Sequence, residues 1–331
     1  MAEKVVLSLV IPVFNEADVL PLLFKQVPGL LASTEATCEA IFVNDGSRDA
    51  SLGLLLGLAN EDSRVRVINL SRNFGHQTAI TAGMSCARGQ AVIVMDADLQ
   101  DPPEVIHEMI ALWRKGYDVV YAVRSQRKGE SRFKVWTAKC FYRLISKISD
   151  IDIPLDTGDF RLVSRRALDA FLAMPERDRF VRGMFAWIGM RQCAVSFERG
   201  PRAAGETKYN LKNMLNLALT GILSFSDAPL RFIVHIGFLV SGLSFCGALL
   251  TLILWIGGAP VVRGWTSLIF AQVFLMGMNF TLLGIIGLYV GRIHDEVKQR
   301  PMFIIESEYQ RPGEVADRGS SASSVPSQPS V

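Results

Sequence analysis

Cysteine is scarce, with Cys38, Cys86, Cys140, Cys193 and Cys246 the only five in 331 residues. They are odd in number, widely spaced and never arranged as Cys-x-x-Cys. That argues against a disulfide framework or a zinc site and fits a reducing, cytoplasmic setting. Charge is thin as well: Asp, Glu, Lys and Arg make up 20% of the chain, against a usual ~25%. With 35 basic and 32 acidic residues interleaved, the net charge is +3 and no nucleic-acid footprint stands out. No Gly-x-Gly-x-x-Gly follows an apolar run, which argues against a dinucleotide enzyme. Residues 200–207 approach a P-loop but carry Glu206 where Lys is required. A signal peptide is not expected either, because Pro12 interrupts the first apolar run (5–11), Lys4 alone precedes it and no cleavage site of small residues follows.

What is abundant is apolar residues, 50% of the chain, with a mean hydropathy of +0.27. From residue 5 to about residue 121, apolar runs of strand length (5–11, 40–43, 65–69, 91–95 and 118–122) alternate with amphipathic stretches (19–31, 51–61, 76–87 and 103–115). This alternation predicts an α/β fold, a doubly wound and mostly parallel sheet with helices on both faces. Ligands of such sheets bind beyond the carboxyl ends of the strands. Further on, 124–134 reads as a basic loop, 133–148 and 165–174 as helices, and 157–161 follows a turn at Pro154.

The apolar surplus concentrates late in the chain. Residues 232–256 and 266–290 each run 25 residues without Asp, Glu, Lys or Arg, about 37 Å of helix at 1.5 Å per residue, enough to cross a ~30 Å hydrocarbon core. Two transmembrane helices are therefore expected. Residues 210–230, apolar at helical spacing, read either as a core helix or as an amphipathic helix lying in the membrane interface, and their place before the first span favours the interface. Lys208, Lys212 and Arg231 precede the pair of spans and Arg292, Lys298 and Arg300 follow it, whereas the loop between them holds only Arg263. The positive-inside rule then puts the large domain on the cytoplasmic face of the plasma membrane. The expected organisation is a catalytic domain (1–209), the interfacial helix, the spans, a juxtamembrane segment (292–310) and a disordered Ser- and Pro-rich tail (311–331).

The chemistry should lie at the polar strand ends. Asp96 and Asp98 follow the fourth apolar run in Asp96-Ala-Asp98-Leu-Gln-Asp101-Pro-Pro. Hard divalent cations take oxygen ligands, and Mg²⁺ commonly combines one or two carboxylates with substrate phosphates. An EF-hand is excluded, since Asp101 and His107 occupy its sixth and twelfth positions. The first run ends in Ile11-Pro12-x-x-Asn15-Glu16, the second in Asn44-Asp45-Gly46-Ser47, and the third in Ser71-Arg-Asn-Phe-Gly-His76. Asp45-Gly46 also reads as a plain turn and helix cap. His76, Cys86 and His235 receive no role.

Those motifs, with Thr157-Gly-Asp159-Phe-Arg161-Leu and Arg202-x-x-Gly205-x-x-Lys208-Tyr209, resemble family 2 glycosyltransferases of the GT-A fold. Within that family the chain is similar, over roughly residues 5–305, to the polyprenyl-phosphate branch of undecaprenyl-phosphate glucosyltransferases and dolichol-phosphate mannose synthases. The resemblance implies that Asp45 receives the uracil or ribose of a nucleotide sugar, with Pro12 and Glu16 shaping that pocket. It implies that Asp96 and Asp98 hold Mg²⁺ or Mn²⁺ on the diphosphate, that Asp159 lies near the anomeric carbon as a base or an orienting group, and that Arg202, Lys208 and Arg124 bind phosphate. The implied partners are a UDP-sugar, polyprenyl phosphate, membrane lipid and further copies of the chain in a tetramer. Glucose is the favoured sugar over mannose, N-acetylglucosamine and an aminoarabinose derivative. A processive polysaccharide synthase would show a Gln-x-x-Arg-Trp motif, and no Arg-Trp pair occurs. A non-catalytic sugar-nucleotide sensor is disfavoured by the intact Asp96, Asp98 and Asp159.

Overall fold

The computed structural model describes residues 5–33, 37–124, 157–177, 179–197 and 265–311, together with Ile236, Val240, Gly242, Cys246 and Ile253. Eight strands form one mixed sheet in the order β7-β5-β6-β4-β1-β2-β3-β8. In chain order they are β1 (Leu7–Val13), β2 (Cys38–Asn44), β3 (Val65–Leu70), β4 (Ala91–Val94), β5 (Val119–Arg124), β6 (Thr157–Ser164), β7 (Gln192–Phe197) and β8 (Ile305–Gln310). The pairings β1–β2, β1–β4, β2–β3 and β5–β7 are parallel, whereas β3–β8, β4–β6 and β5–β6 are antiparallel. The parallel core expected from the strand–helix alternation is present, with antiparallel strands inserted into it and added at one edge.

Helices cover both faces, so β1, β2 and β3 are buried along their whole length, as parallel strands sandwiched between helices must be. Leu7, Leu9, Ile11 and Val13 point to one side, against α1 (Leu20–Ser33), α2 (Ser51–Glu61) and α4 (Pro103–Arg114). Val10, Ile41, Val43 and Ile68 point to the other, against α3 (His76–Cys86), α5 (Arg165–Ala173) and α6 (Val181–Ile188). Gly83 lets α3 lie close on the sheet, because a Cβ there would run into Val10 and Val43. Ser164 caps α5 by accepting a hydrogen bond from Ala167 N.

The strand order reverses between β1 and β4. From β1 the chain winds outward through β2 to β3, then crosses back to lay β4 on the other side of β1. The β1–β4 ladder ends at Val10↔Val94, so Pro12, in the middle of the sheet, sits where no ladder donor is needed on that side. A proline is tolerated at such a place and marks the opening of the crevice.

The last described helix is α7 (Trp265–Val297), 33 residues long. Within Phe274–Val297 it holds an 18-residue window with a mean hydropathy of 1.7, long and apolar enough to cross a membrane, and none of that window is buried. Among the described residues it is the one such helix, and it overlaps the second expected span. The first span (232–256) lies outside the described residues apart from five helical positions. So do the helices expected at 133–148 and 210–230 and, beyond Arg311, the tail. Residues 305–310, read from sequence as part of a juxtamembrane segment, form β8 on the edge of the mixed sheet.

Candidate active site

The crevice is built from the carboxyl ends of β1, β2, β3 and β4 and the amino end of β6. Because β6 runs antiparallel, with Arg161 opposite Val94, its first residues lie beyond the end of β4. Asp159 therefore arrives at the same edge as Asp96.

Asp45 follows β2 directly and is 2% exposed. Its carboxylate accepts hydrogen bonds from Phe74 N at 2.7 Å and Gly75 N at 3.0 Å. Burial pushes the Asp45 carboxyl up, against these two hydrogen bonds, which lower it. The side chain thus fastens the loop after β3 to the end of β2. Gly46, at φ 63°, makes the same junction at backbone level, since a Cβ there would lie 2.5 Å from Arg72 C and Asn73 N. The loop after β1 is tied in by Asn15 N donating to Ser47 Oγ at 3.0 Å, Arg48 N to Asn15 Oδ1 at 2.8 Å and Glu16 N to Ser51 Oγ at 3.0 Å.

The acidic loop after β4 folds on its own carboxylates. Asp101 accepts from Asp96 N at 3.1 Å and Asp98 from Gln100 N at 3.2 Å, while Leu99 between them adopts φ 59°. A leucine in the left-handed region is costly and persists only where the surroundings impose it, as they do at many functional sites.

His76 opens α3, immediately after the loop that Asp45 holds, and links the carboxylates across the crevice. Its Nε2 lies 3.5 Å from Asp96 Oδ1 and 3.3 Å from Asp159 Oδ2. Desolvation pulls the imidazole pKa down, but the Asp159 hydrogen bond and the charges of Asp96 and Asp159 outweigh it and raise it to about 9. Asp159 is also gripped by Arg182 through two hydrogen bonds of 2.9 and 3.1 Å and receives Gln77 Nε2 at 3.0 Å. Burial works to raise its carboxyl, yet Arg182 and His76 hold it well below the usual carboxylate range. Arg161, 3% exposed, donates to Gly158 O at 3.0 Å and lies 5.3 Å over the Phe185 ring. Its burial brings the guanidinium down to about 10.

Of the residues expected from sequence, Pro12, Glu16, Asp45, Asp96, Asp98 and Asp159 all lie at this edge. Arg124 ends β5, in register with Phe197, and its side chain lies outside the described residues, as do Arg202 and Lys208. Sequence reasoning passed over His76, Gln77 and Arg182. The signal available for His76 and Gln77 was their position, at the first residues of a helix directly after a polar strand end.

A family model described as glycosyl transferase family 2 matches residues 8–172. The chain is 48% identical over 309 residues to the uncharacterized glycosyltransferase YkcC of Bacillus subtilis, a match covering 93% of this chain and 96% of that one. It is 42% identical over 306 residues to the bactoprenol glucosyl transferase of Shigella phage SfV, covering 92% and 99%. The chain belongs to glycosyl transferase family 2. Among solved structures, mannosyl-3-phosphoglycerate synthase from Rubrobacter xylanophilus superimposes with a TM-score of 0.46 at 18% identity, over 70% of this chain and 75% of that one. The crevice at the β1/β4 reversal, with its carboxylates and cations, is the candidate active site of this family 2 glycosyltransferase.

Proposed function

We propose that the enzyme transfers a hexose, glucose from UDP-glucose, to undecaprenyl or another polyprenyl phosphate at the cytoplasmic face of the plasma membrane. The observation that carries the reading is the convergence of Asp45, Asp96, Asp98 and Asp159 on one strand-end crevice in a chain that also holds a long apolar helix with no buried residue in its membrane-length window. The relatives named for glucosyl transfer to bactoprenol support the choice of sugar and acceptor.

Asp96 and Asp98 fit a divalent cation of the Mg²⁺ or Mn²⁺ kind. Both are hard oxygen donors two residues apart on a turn pinned by Asp101 and the Leu99 backbone, and a diphosphate supplies the remaining oxygens. The cation, when bound, neutralises charge that builds on the departing diphosphate. The loops after β1 and β2, with Pro12, Glu16 and Asp45, form the nucleoside pocket. Arg124, Arg202 and Lys208 are the phosphate-binding candidates, suited to charge-assisted hydrogen bonds.

In the transfer, an acceptor phosphate oxygen forms a bond to the anomeric carbon as the bond from that carbon to the diphosphate breaks. UDP leaves, and a single displacement inverts the centre. A phosphate monoester has a second pKa of about 6 and is largely dianionic at neutral pH, so no strong base is required. Asp159 is correspondingly a positioning residue: its oxygens are occupied by Arg182, Gln77 and His76 and its carboxyl is held ionised. It fixes those three side chains at the edge of the crevice. The spans and the interfacial segment 210–230 keep the crevice at the depth of the acceptor's headgroup, and the chain works as a tetramer.

The test is transfer of label from a panel of UDP-sugars to undecaprenyl phosphate by the full chain in nanodiscs with Mn²⁺, followed by lipid extraction. Labelled lipid is expected with UDP-glucose, at a rate falling at least about 100-fold in Asp98→Ala, since a metal at such a site is worth several kcal/mol. Unchanged transfer by Asp98→Ala removes the metal assignment, and label from another sugar alone replaces glucose.

A further inference from the structure

The strand that follows the membrane helix reaches the crevice through side chains. Glu306 on β8 accepts a hydrogen bond from Asn69 Nδ2 on β3 at 2.9 Å. Asn69 Oδ1 in turn accepts from Asn44 Nδ2 on β2 at 2.7 Å, and Asn44 Oδ1 accepts from Ser47 N at 3.3 Å. Asn44 and Asn69 are register partners, 1% and 7% exposed, so the middle of this chain is shielded from water. Its inner end is the loop that receives Asn15 N on Ser47 Oγ and so joins the ends of β1 and β2.

The chain of hydrogen bonds has one direction, and its ends set that direction. A backbone N–H only donates and a carboxylate only accepts. With Glu306 at the outer end, Asn69 must turn its NH₂ outward and its oxygen inward. Asn44 is then bound to do the same, leaving its oxygen for Ser47 N. A neighbour without an acceptor at position 306 frees Asn69 to flip, and the oxygen that orders Ser47 is lost. Glu308, two residues along the same strand, does something else. It pairs with Arg66 at 2.5 Å, and Arg66 also reaches the buried Glu39 at 2.8 Å. That ion pair fastens β8 to the sheet away from the crevice.

We infer that Glu306 is a positioning residue for the sugar-nucleotide donor: through Asn69 and Asn44 it orders the Ser47 loop, and so links the post-membrane strand to the donor pocket. The inference rests on the reading of that loop as the nucleoside pocket.

Three variants of the full chain in nanodiscs test it: Glu306→Ala, Glu306→Gln, which keeps an acceptor oxygen, and Glu308→Ala. Two quantities are read, the exchange rate of the Ser47 amide without nucleotide and the affinity for UDP with Mn²⁺. Glu306→Ala is expected to speed Ser47 exchange and weaken UDP binding by about five- to tenfold, within the range of one lost ordinary hydrogen bond. Glu306→Gln should restore both towards wild type, and Glu308→Ala should lower the melting temperature while leaving both unchanged. If Glu306→Ala lowers only the melting temperature, Glu306 merely staples an edge strand and the inference falls. If Ser47 exchange rises but the wild-type protein binds no UDP, the relay is real and the donor role is overturned together with the pocket reading.

Discussion

At Asp159, a carboxylate 5% exposed meets Arg182, Gln77 and His76 at once, and the consequences of replacing it follow from charge more than shape. Asp159→Asn keeps the outline of the side chain but leaves the Arg182 and His76 cations facing a neutral amide. Breaking a buried pair in this way costs about 3–5 kcal/mol of folding stability, and with Arg182, Gln77 and His76 no longer held at the edge of the crevice, kcat should fall at least about 100-fold while UDP affinity changes less than about threefold. Steady-state kinetics beside calorimetric titration would check this, and near wild-type turnover would remove the positioning role. The sign of the pH effect is also set. The folded carboxyl is held well below its ordinary value, so its contribution to stability is present above the unfolded pKa of ~4 and disappears as pH falls through the folded value. The stability gap between wild type and Asp159→Asn should therefore close in acid, which denaturant melts from pH 7 downward would show. Asp45, Asp96 and Asp98 were legible in sequence because each follows an apolar run, and Asp159 only through the motif that carries the family resemblance. His76 and Arg182 were not, because what they do depends on α3 and α6 meeting β6, a tertiary fact that no local pattern carries.

Among the elements, the parallel core announces itself in sequence through buried runs alternating with amphipathic stretches, and β1 to β5 and α1 to α4 lie where that pattern puts them. The elements missed are those without such a signal. In β8, Ile-Glu-Ser-Glu-Tyr-Gln, five of six residues are exposed, so it carries no core face to read; it is held by its ladder to β3 and by Glu306 and Glu308. In α6, only eight residues long, there is too little length for a period. Where the loops after β2 and β3 meet, Gly46→Ala combines a positive φ with a Cβ 2.5 Å from backbone atoms, a contact no side-chain rotation relieves. A loss of about 1–3 kcal/mol is expected, together with weaker UDP binding, since Asp45 and Ser47 flank the site. Thermal unfolding and titration of the same sample would measure both, and an unaltered melting temperature would show that the two loops separate readily.

For the molecule as a whole, the decisive contrast is between a sheet domain with two closed cores and a helix with none. Along α7, Leu268, Phe274, Phe280 and Ile293 are each more than 60% exposed, an apolar surface far beyond what a soluble monomer carries. The chain is accordingly expected to remain in the membrane fraction after washes with 1 M salt (about that strength suffices to screen surface charge) and alkaline carbonate, and to need detergent for release. Recovery in the wash, followed by immunoblot, would contradict a spanning role for α7. That a sheet domain is followed by a long apolar helix was readable from the uncharged run at 266–290, whereas the return of the chain to the domain was not, because β8 is separated by 234 positions from the strand it joins.

That return has a consequence for the order in which the enzyme is made. Translation proceeds from the amino end, so β8 emerges from the ribosome only after the long greasy helix ahead of it. Until then the outer side of β3 lacks its neighbour and Asn69 lacks Glu306. The sheet domain is therefore finished last: its closing strand, and with it the outer end of the hydrogen-bonded chain that runs to Ser47, arrives only after the apolar helix has been made.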